Sequence, residues 1–152
     1  MQASPPEFPA HCSTIGKRIE YLSQVLIPEG RFEDYLQLMQ ELLDPKVHYI
    51  DPVHEFNNCD EVLQMLRKYV PRSQNGDFSF DLLVDGEREV MWRWRIGLRL
   101  RFIGLKFIIN GLVHAQIEKG KICYQREYYD PMESIGIIPV VGWLYKLMLR
   151  LG

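Results

Sequence analysis

Three observations predict an α+β domain. Apolar residues recur at helical spacing through the first half of the chain. They alternate with polar residues through most of the second half. The two patterns follow one another instead of interleaving, which puts helices on one face of an antiparallel sheet.

The elements follow in order. Ile15, Ile19, Leu22, Val25 and Leu26 share one helical face, with Ser13 as N-cap, and Pro28-Glu29-Gly30 breaks that helix. Phe32, Leu36, Met39, Leu42 and Leu43 mark a second helix that ends near Asp44-Pro45. A short strand covers Val47 to Ile50 and stops at Asp51-Pro52. Asn58 with Glu61 forms a capping-box pattern and opens a third helix, with Val62, Leu63, Leu66 and Tyr69 on its apolar face. Pro71 is expected to stop it, since proline cannot donate to the helical ladder.

Strands come next. Phe78, Phe80 and Leu82 alternate with polar residues, and Asp85-Gly86 signals a hairpin. The run from Met91 to Phe102 puts Trp92, Trp94, Ile96, Leu98, Leu100 and Phe102 on one face. Arg93, Arg95, Arg99 and Arg101 fall on the other. After a break at Gly104, another strand covers Phe107–Ile117. Glu118-Lys119-Gly120 fits a three-residue loop, and the last strand runs from Lys121 to Tyr129. A two-residue Lys119-Gly120 turn would flip the pairing of that hairpin. The order is α-α-β-α-β-β-β-β, and a strongly curved antiparallel sheet wrapped around the N-terminal helices makes a cone with a pocket inside.

Composition narrows the classes. The chain has 152 residues, 47% hydrophobic and 25% charged, with a net charge of −2. That is one globular domain, with no basic excess for gripping nucleic acid. Residues 1–12, with three prolines, read as a disordered tail, residues 13–131 as the domain, and residues 132–152 as an apolar C-terminal helix. No secretory leader is expected in MQASPPEFPAHC, and no run is long enough to span a membrane. The three cysteines (Cys12, Cys59 and Cys123) lack metal or disulfide spacing, which fits a cytoplasmic, reducing setting. His48, Asp51 and His54 do not share a strand face, so no metal site is expected.

The chain resembles the nuclear transport factor 2-like superfamily, which includes ketosteroid isomerase and the SnoaL-like polyketide cyclases. Four segments carry the resemblance: Tyr49-Ile50-Asp51-Pro52-Val53-His54, Trp92-Arg93-Trp94, Gly120-Lys121-Ile122 and Glu127-Tyr128-Tyr129-Asp130. It covers roughly residues 14–131 and is nearest to the SnoaL-like bacterial members. It implies a cone-shaped α+β barrel, cystatin-like in its curved sheet, usually a homodimer, with a pocket that needs no cofactor. Such a fold hosts isomerases, hydrolases, dehydratases and non-catalytic binders alike.

The resemblance makes Asp51 the general base, in the Asp-Pro turn where ketosteroid isomerase keeps its own; that enzyme is a standard example of tuned carboxyl acidity. A carboxylate at the rim of an apolar cavity gains basicity from desolvation. The competing reading is an Asx turn that caps backbone amides. Val113 stands where the isomerase has its second carboxyl, with His114 beside it, so the chain departs from the steroid isomerase pattern. Tyr21 is a candidate phenol donor, or else a tyrosine at the core's edge. Glu127 and Tyr129 share a face with Gln125, and Glu127 is either a second acid–base group or a surface carboxylate paired with arginine. Tyr49, Trp92 and Trp94 complete the candidate lining. The indole face is expected inward, because burying several unpaired arginines costs several kcal/mol each.

Three functions follow. The first is a cofactor-independent enzyme moving protons on a hydrophobic carbonyl compound, with Asp51 as base and Glu127 or Tyr21 assisting. The second is a non-catalytic binder of a small hydrophobic molecule. The third is a protein-interaction module using the arginine face. The C-terminal helix is expected to be a lid or dimer contact, with weak membrane-surface contact as the remaining alternative.

Overall fold

The computed structural model describes residues 5–73, 78–99, 106–131, 143 and 146–150. Helix α1 spans Ile15–Tyr21 and continues as a wider π turn over Leu22–Leu26. Its cap is Thr14, one residue beyond the expected Ser13, whose hydroxyl accepts from the Lys17 amide at 3.2 Å. The chain turns out of the helix over residues 27–30, with the predicted break at Pro28-Glu29-Gly30, and Gly30 takes a left-handed φ of 71°. The Arg31 amide then donates to the Leu26 carbonyl at 3.0 Å and Gly30 to Ile27 at 3.1 Å, satisfying carbonyls that would otherwise be orphaned.

Helix α2 spans Phe32–Leu42 and passes straight into strand β1, Leu43–Ile50. The strand thus starts four residues before Val47, and Asp44-Pro45 lies inside it rather than at a helix end. Strand β2, Glu55–Phe56, was not foreseen; two residues are too few for a period. Helix α3 spans Cys59–Ser73. Its capping box is present: the Glu61 amide donates to Asn58 Oδ1 at 2.9 Å, and Asn58 Nδ2 donates to Glu61 Oε2 at 2.6 Å. Pro71 does not stop this helix but lies in its last turn.

Strands β3 (Phe78–Asp85), β4 (Glu89–Arg99), β5 (Lys106–Glu118) and β6 (Lys121–Tyr129) complete one six-stranded sheet of order β2-β1-β6-β5-β4-β3. The sheet is curved but open, with β2 and β3 as edges, so it is not a closed barrel. Nor is it wholly antiparallel: β1 and β6 run parallel. That pair brings the end of β1, which leads into Asp51, beside Gln125 and Arg126.

The core lies between the helices and one sheet face. Leu22, Leu26, Leu42, Val47, Val90, Val113, Ala115 and Ile122 have no exposed surface. Trp92 is buried, whereas Arg93 and Arg95 are exposed, so the indole face of β4 points inward as expected. The side chains of Leu98 and Arg99, and residues Leu100, Arg101, Phe102 and Gly104, lie outside the described residues. The tail expected at residues 1–12 packs from Phe8 onward. Arg18 sits over the Phe8 ring at 5.1 Å, and Cys12 is buried. Most of the expected C-terminal helix lies outside the described residues. Trp143, Leu147, Met148 and Leu149 are exposed. Among the described residues, no helix is long and apolar enough to cross a membrane.

Candidate functional site

The open end of the fold holds a cavity of about 350 Å³ between the helices and the sheet. Its walls are mostly apolar. Ile19 comes from the first helix and Ile27 from the turn after it, Met39 from α2, Leu66 and Val70 from α3, and Phe78, Phe80, Trp92, Trp94 and Ile96 from the sheet. Ser23, buried in the π turn, also faces it. Polar groups gather at the junction of β1 and β6, where Tyr49, Asp51, His54, Gln125, Glu127 and Tyr129 line the same space.

Asp51 follows β1, and its side chain is only 4% exposed. It is an Asx turn and a cavity residue at once. Oδ1 accepts from the backbone amides of Val53 and His54, each at 2.7 Å. Oδ2 accepts from the Tyr49 hydroxyl at 3.0 Å and lies 3.0 Å from His54 Nδ1. The Tyr129 side chain lines the same space. A carboxylate offers about four lone-pair sites, so every one of them faces a donor.

Glu127 lies two residues along the inward face from Gln125, whose Nε2 donates to Glu127 Oε1 at 3.0 Å. It is partly buried and lines the cavity. Burial and then the charge of Asp51 push its carboxyl up to about 7, while the hydrogen bond from Gln125 holds it back. Two carboxyls sharing one poorly solvated place cannot both ionise freely, and the one with fewer donors gives way. Burial also lifts the phenols of Tyr35, Tyr49 and Tyr129 above their ordinary range, with the Glu127 charge adding to each. These phenols are neutral donors at any working pH.

Among the predicted site residues, the fold brings together Asp51, Glu127, Tyr49, Tyr129, Trp92 and Trp94. Tyr21 is not among them; its ring packs on Phe8 with centroids 6.3 Å apart. Val113 is fully buried on the inward face but does not line the cavity. His114 points to the outer face, where Nε2 lies 3.2 Å from Glu89 Oε2. Sequence reasoning passed over His54 as a site residue and weighed it only as a metal ligand. Its signal was the spacing: three residues after an Asx-turn aspartate, an imidazole folds back over the same carboxylate. The His54 ring stacks on Phe56 at 5.4 Å and meets Tyr69 edge-on at 6.2 Å. Among the described residues, no three His, Cys, Asp or Glu side chains are gathered as a metal ion would need.

No family model matches the chain, and no curated protein matches it. Solved structures do. A nuclear transport factor 2-like protein of unknown function from Exiguobacterium sp. 255-15 shares 17% identity with a TM-score of 0.57, covering 75% of this chain and 98% of that one. Another, from Burkholderia thailandensis, shares 15% with a TM-score of 0.60, covering 80% and 95%. The fold is that of the nuclear transport factor 2-like proteins. A SnoaL-like protein from Jannaschia sp. CCS1 has it too, at 10% identity and a TM-score of 0.59, covering 86% and 95%. Identities this low establish the nuclear transport factor 2-like fold and nothing of the chemistry, which rests on the site.

Proposed function

We propose that the protein is a cofactor-independent proton-transfer enzyme of the isomerase, cyclase or dehydratase type, acting on a small hydrophobic molecule that carries a carbonyl oxygen. The observation behind this reading is Glu127: an acid titrating near neutrality, facing an apolar cavity, beside a carboxylate whose lone pairs are all engaged. A group with a pKa near the working pH can both give and take a proton. The role first assigned to Asp51 moves accordingly. Asp51 is the anchor that holds His54, Tyr49 and the loop, because each of its lone pairs already faces a donor of the protein. An ionised Asp51 accepts from His54 Nδ1–H and leaves Nε2 with a lone pair. In this scheme His54 Nε2 takes a proton from the carbon next to the carbonyl. Protonated Glu127 gives its proton to the carbonyl oxygen, yielding an enol.

The test needs no natural substrate. In D2O, 2-tetralone exchanges the hydrogens next to its carbonyl, and NMR follows the rate. The protein should accelerate that exchange above buffer, and Glu127→Gln should lose on the order of 100-fold of the acceleration. Equal rates for parent and variant would overturn the assignment. Binding without chemistry is the second reading. The engaged lone pairs of Asp51 favour it, since they remove the base that the isomerase-like pattern requires.

A further inference from the structure

Trp94, Gly111 and Tyr129 stand in one row across three strands. Trp94 pairs with Gly111 between β4 and β5, and Gly111 pairs with Tyr129 between β5 and β6. Neighbouring strands lie about 4.8 Å apart, so two strands separated by a third are nearly 10 Å apart. Yet the rings of Trp94 and Tyr129 come within 5.8 Å, centroid to centroid. They do so by leaning toward each other over the central residue. A Cβ built on Gly111 would overlap the indole atoms Cε2 and Cζ2 and stand 2.7 Å from Nε1. That is closer than real Cβ contacts come, and the clash is with a rigid ring that could escape only by tilting away from the sheet. Glycine inside a strand weakens it, so its presence at a central position marks a close approach that a side chain would forbid.

The inward face of the sheet is where the cavity lies, and both rings line it beside Glu127. We propose that Gly111 is a specificity-determining residue: by letting the Trp94 indole lie down against the sheet, with the Tyr129 ring inclined to it at 53° as a side wall, it makes the indole an aromatic floor that selects ring-shaped over chain-like ligands. A side chain at position 111 lifts the indole into the cavity, in front of the acid. A planar ligand loses its stacking surface and the space above it, while a flexible chain can bend around the obstacle. This deepens the proton-transfer reading by naming the shape of its substrate: a flat, fused-ring carbonyl compound.

Two ten-carbon ketones separate the outcomes, 2-tetralone as the ring and 2-decanone as the chain, with affinities measured by titration calorimetry. The parent protein should prefer 2-tetralone. Gly111→Ala should weaken 2-tetralone about tenfold, the equivalent of one lost aromatic stack, and leave 2-decanone within about twofold. Gly111→Ala with Trp94→Phe, whose smaller ring fits beside the new methyl group, should recover most of the lost affinity. Should Gly111→Ala fail to fold, Trp94→Ala on the parent background reads the same floor and should erase the ring preference. An unchanged preference in Gly111→Ala, or no recovery in the double variant, overturns the proposal. So does a parent protein that binds neither ketone. Failure of the proton-transfer reading looks different: the ring preference would stand while hydrogen exchange ran no faster than in buffer.

Discussion

Val113 stands directly across from Glu127 in the β5–β6 ladder, although the turn that closes this hairpin would by itself put Leu112 there. Lys119 and Gly120 form a two-residue turn with φ of 51° and 74°, both left-handed, which suits the right-handed twist of the strands. Glu118 therefore pairs with Lys121 and Ile117 with Ile122, and the three-residue loop expected from sequence is absent. Two residues later the register slips by one, because Cys123 is an extra residue on β6. From there Gln116 pairs with Tyr124, and Val113 with Glu127. The Cys123 thiol closes the bulge by donating to the Gln116 carbonyl at 3.4 Å. The bulge reverses the parity that the tight turn imposed, so Gln125, Glu127 and Tyr129 face the cavity.

Deletions in β6 test that account. Removing Cys123 alone takes out the bulge and lets the register of the turn run on, with Tyr124 still opposite Gln116 and Glu127 still opposite Val113, so the polar side chains keep facing the cavity. Removing Cys123 and Tyr124 together puts Gln125 opposite Gln116, swings all three polar side chains to the outer face and drives Arg126 and Tyr128 inward. Circular dichroism melts should show a large loss of stability and of cooperativity for the double deletion and a small one for the single. Two deletion variants that melt alike would show that the register is set elsewhere.

Glu127 gives the stability a pH dependence of defined sign. Its carboxyl titrates near 4.5 when exposed and about 7 in the fold, so the folded state binds the extra proton between those values. Its contribution is fully present below about pH 4.5, fades as pH rises, and is gone above about pH 7. Glu127→Gln removes the titration and keeps a hydrogen-bonding amide. Its stability relative to the parent should therefore rise between pH 5 and pH 8, by at most about 3 kcal/mol. Urea melts at the two pH values measure this difference. A constant gap would mean that the carboxyl is already ionised at pH 5.

Asp51→Asn separates the anchoring role from the acid–base role. The new Oδ1 can still accept from the amides of Val53 and His54. The new Nδ2, however, is a donor facing the donors Tyr49 and His54. A loss of about 1–3 kcal/mol is expected from the broken pairings. The His54 proton should also move from Nδ1 to Nε2, so that Nδ1 can accept from the amide. Long-range nitrogen–proton NMR distinguishes the two tautomers. A His54 ring that keeps its parental tautomer would break the proposed link between the two residues.

Much of the fold was legible because single elements carried it. Strand β4 alternates so strictly that its buried face could be named outright, and Asn58 with Glu61 marked the start of α3. The errors came from effects without a local signal. Pro71 falls in the last turn of α3 rather than beyond it. Asp44-Pro45 looks like a break, yet β1 absorbs it beside β6. A bulge and a tight turn each shift register by one, so the sequence showed the inward face of β6 only through their sum. Asp51 and Glu127 could be named as neighbours of one cavity, but their surroundings could not. How many donors converge on each carboxyl depends on β1, the loop after it and β6 together.

The two faces of β4 should respond to mutation on different scales. Trp92 is 6% exposed, lies opposite Val113 and Leu82, and has the Phe80 ring 6.5 Å away. Its neighbour Arg93 leaves 65% of its side chain in solvent and pairs with Asp81 at 2.7 Å. Exposed ion pairs are screened and cost side-chain entropy, so Arg93→Ala should change stability by less than about 1 kcal/mol. Trp92→Ala removes a buried ring that its neighbours cannot fully replace, and should cost about 3–5 kcal/mol. Denaturant melts on both variants give the comparison directly. An Arg93 cost as large as that of Trp92 would mean that the outer face is covered by something besides water, which is what the protein-interaction reading requires.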